Sequence, residues 1–217
     1  MALEKTGQSF KTMAITINGN GTLTGVSVGG LPDGIVDTDM LATNAVATAK
    51  IADAAVTAAK RGAGAILQVV QTVKTDSFSS NTGSSFVDIT GMSVSITPSS
   101  SSSKILLIPS LNLAAATSHR HGWQIKRDST TIHFADSASN RRCVTSGQGN
   151  PPNSVMNYHY CTPFLDSPST TSAITYKLQV IGEGSNTNIY VNRTEHDGDG
   201  SDKFRFASSM LAMEVAA

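Results

Sequence analysis

Between Ile35 and Lys60 the chain reads IVDTDMLATNAVATAKIADAAVTAAK, and an apolar side chain returns at every fifth position: Val36, Leu41, Val46, Ile51 and Val56. Ile66 rejoins the beat after Arg61 interrupts it. The larger unit is ten residues, VDTDMLATNA, VATAKIADAA and VTAAKRGAGA. On a straight α-helix ten residues turn through about 1000°, which leaves successive units roughly 80° out of register and lets the apolar positions spiral around the rod. On a strand, a five-residue step carries the side chain to the opposite face. Neither element gives these residues a common buried side. What remains is a unit that bends within each repeat and stacks along an axis, with the burial supplied by neighbouring chains. The Ala and Thr residues between the apolar positions are small enough for such chains to approach closely. The plainer alternative is an Ala-rich linker, flexible or loosely helical.

From Ile66 onward the pattern changes to alternation. ITYKLQV sets Ile174, Tyr176, Leu178 and Val180 on one face and Thr175, Lys177 and Gln179 on the other, as in a strand with one face buried. The same period marks MSVSIT (Met92, Val94, Ile96), WQIKR (Trp123, Ile125), IHF (Ile132, Phe134), IYV (Ile189, Val191), FRF (Phe204, Phe206) and MLAMEV (Leu211, Met213, Val215), whose named residues are expected on the buried face. KILLIPSLNL is apolar on both faces around Leu106, Leu107 and Ile108, the mark of a central strand covered on both sides. With ILQVVQTV and FVDIT, about nine strands are expected between turn-rich stretches such as SSNTGSS, PSSSSS and SGQGNPPNS. Many short antiparallel strands with Ser/Gly/Pro turns predict a two-sheet β-sandwich, most simply a jelly roll. The expected organisation is a Gly-rich N-terminal docking or neck segment (1–34), a stalk of short repeats (35–65) and a β-sandwich head (66–217).

Composition narrows the function. Only 15% of the 217 residues are charged, and 16 basic residues balance 16 acidic ones. No cationic excess is left to neutralise a phosphate backbone, so nucleic acid is not expected as a partner. Cys143 and Cys161 are too few for a disulfide framework and are expected as free thiols, a single disulfide being the alternative. MALEKTGQSFKTM lacks the apolar core of a signal peptide. No window reaches the ~20 apolar residues of a membrane-spanning helix, so membrane insertion is not expected.

The order of QVVQTVKTDSFSS, FVDITGMSVSITPSSSSSKILLIPSL, IKRDSTTI, FLDSPSTTSAITYKLQV, IYVNRT and SSMLAMEV resembles the C-terminal head of tail-fibre and other appendage proteins of tailed bacteriophages, especially marine ones. ITINGNGTLTGVSVGGLPDG and the V-x-T-A-K-I-A-D-x-A-V-T repeat are similar to the neck and stalk that precede such heads. The resemblance runs over residues 13–217. It implies a homotrimer with Val36, Leu41, Val46, Ile51 and Val56 at its axis, a location in the virion, and a head like the trimeric jelly rolls of the tumour necrosis factor and complement type. It further implies partners among tail, baseplate or capsid proteins, and attachment to a host glycan or protein without catalysis. The alternative is a purely structural component, a capsid-bound fibre or baseplate spacer, with no receptor contact. MALEKTGQSFKT, ahead of a possible natural start at Met13, departs from the pattern.

Candidate chemistry is sparse. His119 and His121 in TSHRHGW lie two apart, so on an extended segment both rings point the same way, and three chains at a threefold axis would offer six imidazoles to a transition metal. The plainer reading is a solvated loop pair beside Trp123. EHDGDGSD resembles the start of a calcium loop but lacks its bidentate Glu, which favours a hydrated acidic turn. GVSVG (25–29) matches a nucleophile elbow in letters only, since GLPDG follows where a helix is needed. NRT at Asn192 and NGT at Asn20 are glycosylation sequons only in a eukaryotic secretory pathway. Trp123 and the aromatic-dense NYHYCTPF, with Tyr158, His159 and Tyr160, are the candidates for stacking on a receptor, against the plainer reading of core or subunit interface.

Overall fold

The computed structural model describes residues 16–17, 23–24, 46, 51–52, 55–57, 60–150, 152–184 and 187–217. Val36, Leu41 and the GVSVG stretch lie outside the described residues. The chain divides into two compact units, Met1–Ala55 and Val56–Ala217. In the first, β1 (Thr16–Ile17) and β2 (Leu23–Thr24) form a short antiparallel ladder.

The described part of the repeat explains its period. The backbone bends at Val46, Ile51, Val56 and Arg61. Between the bends, Ala55 N donates to Ala52 O and Lys60 N to Thr57 O, each at 3.0 Å. The two described steps, Ile51 to Val56 and Val56 to Arg61, thus each hold one such backbone hydrogen bond before the next bend, which falls on Val56 and on Arg61. Val46, Ile51 and Val56 are 53%, 43% and 51% exposed, so the chain's own fold does not cover them.

The second unit is a β-sandwich. Its strands are β3 (Ile66–Lys74), β4 (Phe78–Asn81), β5 (Val87–Ile96), β6 (Lys104–Ala115), β7 (His121–Arg127), β8 (Thr130–Ile132), β9 (Ser146–Gln148), β10 (Tyr158–Tyr160), β11 (Phe164–Asp166), β12 (Ile174–Gly182), β13 (Asn188–Val191) and β14 (Ser208–Val215). One sheet has seven strands, in the order β3-β14-β6-β13-β4 with β10 and β11 on β6; the other has five, β5-β12-β7-β8 with β9 on β7. The pairing is nested: first with last (β3·β14), then β5·β12, β6·β10 and β11, and β7·β8 and β9, all antiparallel. A long hairpin rolled over on itself gives this order, which is a jelly roll. β13 and β4 carry the columns of β14 and β3 onward, since Val191 pairs with Leu113 while Ser209 pairs with Ser110.

Alternation does the work of building the core. Ile105, Leu107, Leu111 and Leu113 of β6 meet Trp123, Ile125, Tyr176 and Leu178 of the other sheet. β5 breaks the period, with Ile89 and Met92 both buried three residues apart. The register shifts there, with the four residues Ile89 to Met92 lying opposite the single Leu178, and Gly91 takes a left-handed φ of 82° within this irregularity. Buried polar groups are mostly paired, His121 Nδ1, Trp123 Nε1 and Thr187 Oγ1 being the exceptions among the described residues. Asp166 accepts two hydrogen bonds from Arg127, at 3.0 and 2.9 Å, and one from the Tyr176 hydroxyl at 2.7 Å. Glu214 accepts from Gln68, from Ser99 N and from Ser99 Oγ at 2.6, 2.7 and 2.7 Å. Burial pushes the Glu214 carboxyl up, but its hydrogen bonds from Ser99, Gln68 and Ser103 prevail and hold it below the usual range.

Two expected strands differ. FRF is not a strand: Phe204 is exposed, and Phe206 N donates instead to Asn192 O at 3.1 Å. IHF ends at Ile132, because His133 turns to a φ of 50° and leaves Phe134 exposed.

Candidate interaction surface

Because strand side chains alternate, each sheet has an outer face fixed by its inner one. On the seven-stranded sheet, Val70, Leu107, Met210 and Ala212 point into the core, so Val69, Leu106, Leu211 and Met213 point away from it. Register aligns them. Val69 pairs with Met213, Met213 with Leu106, and Leu106 with Leu165, one apolar row across four strands. The next row runs Gln71, Leu211, Ile108, and the one beyond it Val73, Ser209, Ser110. Val69 is 53% and Leu165 45% exposed. In the rows from Val69 to Val73 no side chain carries a formal charge.

The five-stranded sheet shows the opposite. Its outward positions hold Asp88, Ser93, Ser95, Gln124, Lys126, Thr175, Lys177 and Gln179. They bond to one another: Lys177 and Gln179 both donate to Asp88, at 2.7 and 2.6 Å, Gln124 donates to Gln179 at 2.6 Å, and Ser95 meets Thr175 at 2.8 Å.

The aromatic candidates fall mostly inside. Trp123 is fully buried, which removes it as a receptor contact. The sequence pattern already carried this, since Trp123 and Ile125 share the inward face of β7. Tyr158 and Tyr160 are half-buried against His121, with ring centroids 5.7 and 5.9 Å away. His159, between them, points outward and meets the Ser110 hydroxyl at 2.9 Å. NYHYCTPF is thus chiefly the strand that closes the core, with His159 its one exposed candidate among the three.

His119 and His121 do not form the expected pair. His119 sits in the loop before β7 with Nδ1 2.9 Å from Thr117 O. His121 is the first residue of β7 and is turned into the core, where Nε2 lies 2.8 Å from the Tyr160 hydroxyl and Nδ1 has no partner. Burial lowers its pKa to about 4. A ring held there cannot reach an axial metal, and the described residues hold no group of three His, Cys, Asp or Glu set for one. In EHDGDGSD, Asp197 is paired with Arg205 at 2.6 Å and Arg193 at 3.4 Å. Both cysteines are free.

Asn192, noted in the sequence only for its sequon, has a structural task. It is fully buried where β13 gives way to β14, at a φ of 61°. Its amide donates to Lys74 O at 2.8 Å and Asp76 O at 3.0 Å, and accepts from Ser208 Oγ at 2.6 Å. No sugar could be attached to that nitrogen in the folded chain. The signal available was its place directly after the alternating IYV run.

The sequence matches no protein-family model and no curated protein. Among solved structures the chain is similar to those of infectious bursal disease virus Gx strain (19% identity, TM-score 0.36) and Gt strain (18%, 0.37), and to the VP2 subviral particle of that virus (16%, 0.37). These likenesses cover 69%, 69% and 68% of this chain but 37%, 38% and 39% of those chains, well under half their length. The jelly roll is assigned on the strand ladders themselves.

Proposed function

We propose that the chain is a virion structural protein: the subunit of a homotrimeric tail fibre whose head attaches the particle to the host surface without catalysis. The observation that carries this reading is β6. Its sequence is that of a strand covered on both sides, yet within one chain only the Leu107 side is covered and Leu106 and Ile108 lie beside Val69, Leu211 and Met213 on an open face. A second and third copy of the chain supply the missing layer. The exposed Val46, Ile51 and Val56 support the same arrangement in the repeat, where small residues permit three chains to close around an axis. Attachment then works by avidity, three copies of one weak site acting from a single head.

Light scattering on the full chain tests the assembly: a mass three times 22.6 kDa is expected, and a monomer of 22.6 kDa at micromolar concentration overturns it. Competition of the soluble protein with virions for adsorption to host cells tests attachment. A trimer that does not compete leaves a structural virion component without receptor contact.

A further inference from the structure

The chain enters the sandwich at Ile66, which lies at the same end as Val215 and Lys104 in the register of the seven-stranded sheet. The turn from Ile96 to Lys104 keeps the start of β12 and the end of β7 at that end too, since Ile174 pairs with Ile96 and Tyr176 with Arg127. At the opposite end, Gly182 pairs with His121, and Gly122 with Gly147. An open cavity of about 640 Å³ lies there, lined by Arg120, Arg141, Arg142 and Glu183 together with Asn140 and Gln148.

Its charge is unusual for this chain. Cations and anions are equal over the whole sequence, yet three guanidiniums face this cavity against one carboxylate. Glu183 takes part of one, accepting from Arg120 at 3.3 Å. Arg142 is oriented by donating to the Gly182 carbonyl. The Arg141 guanidinium pairs with none of the described residues. The floor is held open by close backbone contact: a Cβ on Gly147 would strike the His121 carbonyl oxygen, and one on Gly122 would strike the Val144 side chain. Nothing larger than glycine fits these two positions, which lets β9 lie tightly on β7.

We infer that this cavity binds an anionic saccharide, a sugar bearing a carboxylate or a phosphate. The planar fork of a guanidinium matches both anions, and Arg141 with the remaining N–H groups of Arg142 offers it. The amides of Asn140 and Gln148 and the Glu183 carboxylate suit sugar hydroxyls, which both donate and accept. The site is built on the five-stranded sheet, so packing of copies through the seven-stranded face leaves it open. That the sugar comes from a host surface rests on the attachment reading above; the binding itself does not.

The test is ligand-observed NMR on the full chain with glucuronic acid, glucose 6-phosphate, glucose and inorganic phosphate at one ionic strength. At least one of the two anionic sugars should bind, and which one does identifies carboxylate or phosphate as the group read. Glucose should be weaker by about tenfold, and Arg141→Gln should weaken the anionic sugar by about tenfold, the loss of one charge-assisted contact. Lys126→Gln, on the outer face of the same sheet, should change nothing. Equal binding of glucose, no binding of either anionic sugar, or an unaltered Arg141→Gln variant overturns the site. Inorganic phosphate binding as tightly as the sugar phosphate overturns its assignment to saccharides. Sugar binding without competition for adsorption faults the attachment reading and leaves the site; competition that survives Arg141→Gln does the reverse.

Discussion

On the seven-stranded sheet the side chains pointing away from the core include Val69, Leu106, Leu165, Leu211 and Met213; on the five-stranded sheet the corresponding positions hold Asp88, Gln124, Lys126, Lys177 and Gln179. The inner faces of the two sheets are alike, both apolar and both closed over the same core. Folding of one chain therefore accounts for half of each strand's pattern. What separates the sheets is what the other half is prepared to meet. A face of carboxylates, amides and ammonium groups bonded to one another is stable against water. A face on which Val69, Val73 and Leu165 are about half exposed and Leu106, Leu211 and Met213 less so forgoes only the uncovered share of the ~1.5–3 kcal/mol that fully burying each such side chain would supply. Several such residues per chain are enough to offset the ~4–15 kcal/mol cost of association.

The strongest way to break the comparison is to give the first face the chemistry of the second. Leu211→Glu places a carboxylate on the open face, in the row next to the apolar one and between Gln71 and Ile108, where neighbouring copies would bury it unpaired at about 3–5 kcal/mol each. The expected result is loss of the trimer to a 22.6 kDa species by light scattering, with the jelly roll itself intact by circular dichroism. Gln179→Glu, the same charge on the polar face, should leave the mass unchanged. A Leu211→Glu chain that stays trimeric would show that this face is not where copies meet.

A second effect acts on both faces at once, because it loosens the sheets from each other. His121 on β7 is bonded to the hydroxyl of Tyr160 on β10 and faces Tyr158, with no charged group against it. Its pKa is near 4 in the fold, against 6.5 for a free histidine. Between those values the unfolded chain takes up a proton that the folded chain refuses. Stability is therefore full above pH 6.5 and falls as pH drops toward 4, by up to about 3 kcal/mol over the whole window. Carboxylates held low, Glu214 among them, add their own loss only further down. Urea unfolding at pH 7 and pH 5, followed by the fluorescence of Trp123, the single tryptophan, should show the difference. Equal midpoints at the two pH values would mean that His121 is not buried neutral.

How legible this was depends on which side of a strand is considered. Inward positions declare themselves through alternation, so Ile174 to Val180 are read correctly, and so is the sandwich. In MLAMEV, however, alternation singles out Leu211, Met213 and Val215 as the buried face, whereas Met210, Ala212 and Glu214 are the ones buried, because that strand's more apolar side is its outer one. β6 was legible too, including its second apolar side, but sequence alone does not say whether one's own chain or another covers it. Chemistry fared worse for a physical reason. Trp123 and His121 share the parity of Ile125, and a two-residue spacing that aligns two imidazoles aligns His121 with the core just as well. Asn192 stood out in the sequence only as part of an Asn-x-Thr sequon. Its actual task, satisfying the backbone of Lys74 and Asp76 where one column of strands hands over to the next, depends on residues more than a hundred positions away. The five-residue beat and a bend within each unit were both legible; where the bend falls was not, since the turn between Ile51 and Val56 closes on Ala residues and carries no Gly or Pro to mark it.

The smallest expected effect sharpens the contrast from the polar side. Lys177 and Asp88 are joined at 2.7 Å, but their side chains are 31% and 51% exposed. Water screens such a pair, and removing it should cost about 0.5 kcal/mol or less in the head's unfolding free energy. Lys177→Ala is thus expected to be close to neutral in stability and in mass. Lys177→Leu combined with Gln179→Leu keeps strand geometry and changes only what the face offers its surroundings. If outer chemistry decides whether a face stays in water, this double variant should form species larger than the parent trimer at high concentration, while Lys177→Ala does not. A double variant with the parent's mass would mean that the polar face is kept single by something other than its side chains, such as the curvature of the sheet, and would weaken the same argument for the apolar one.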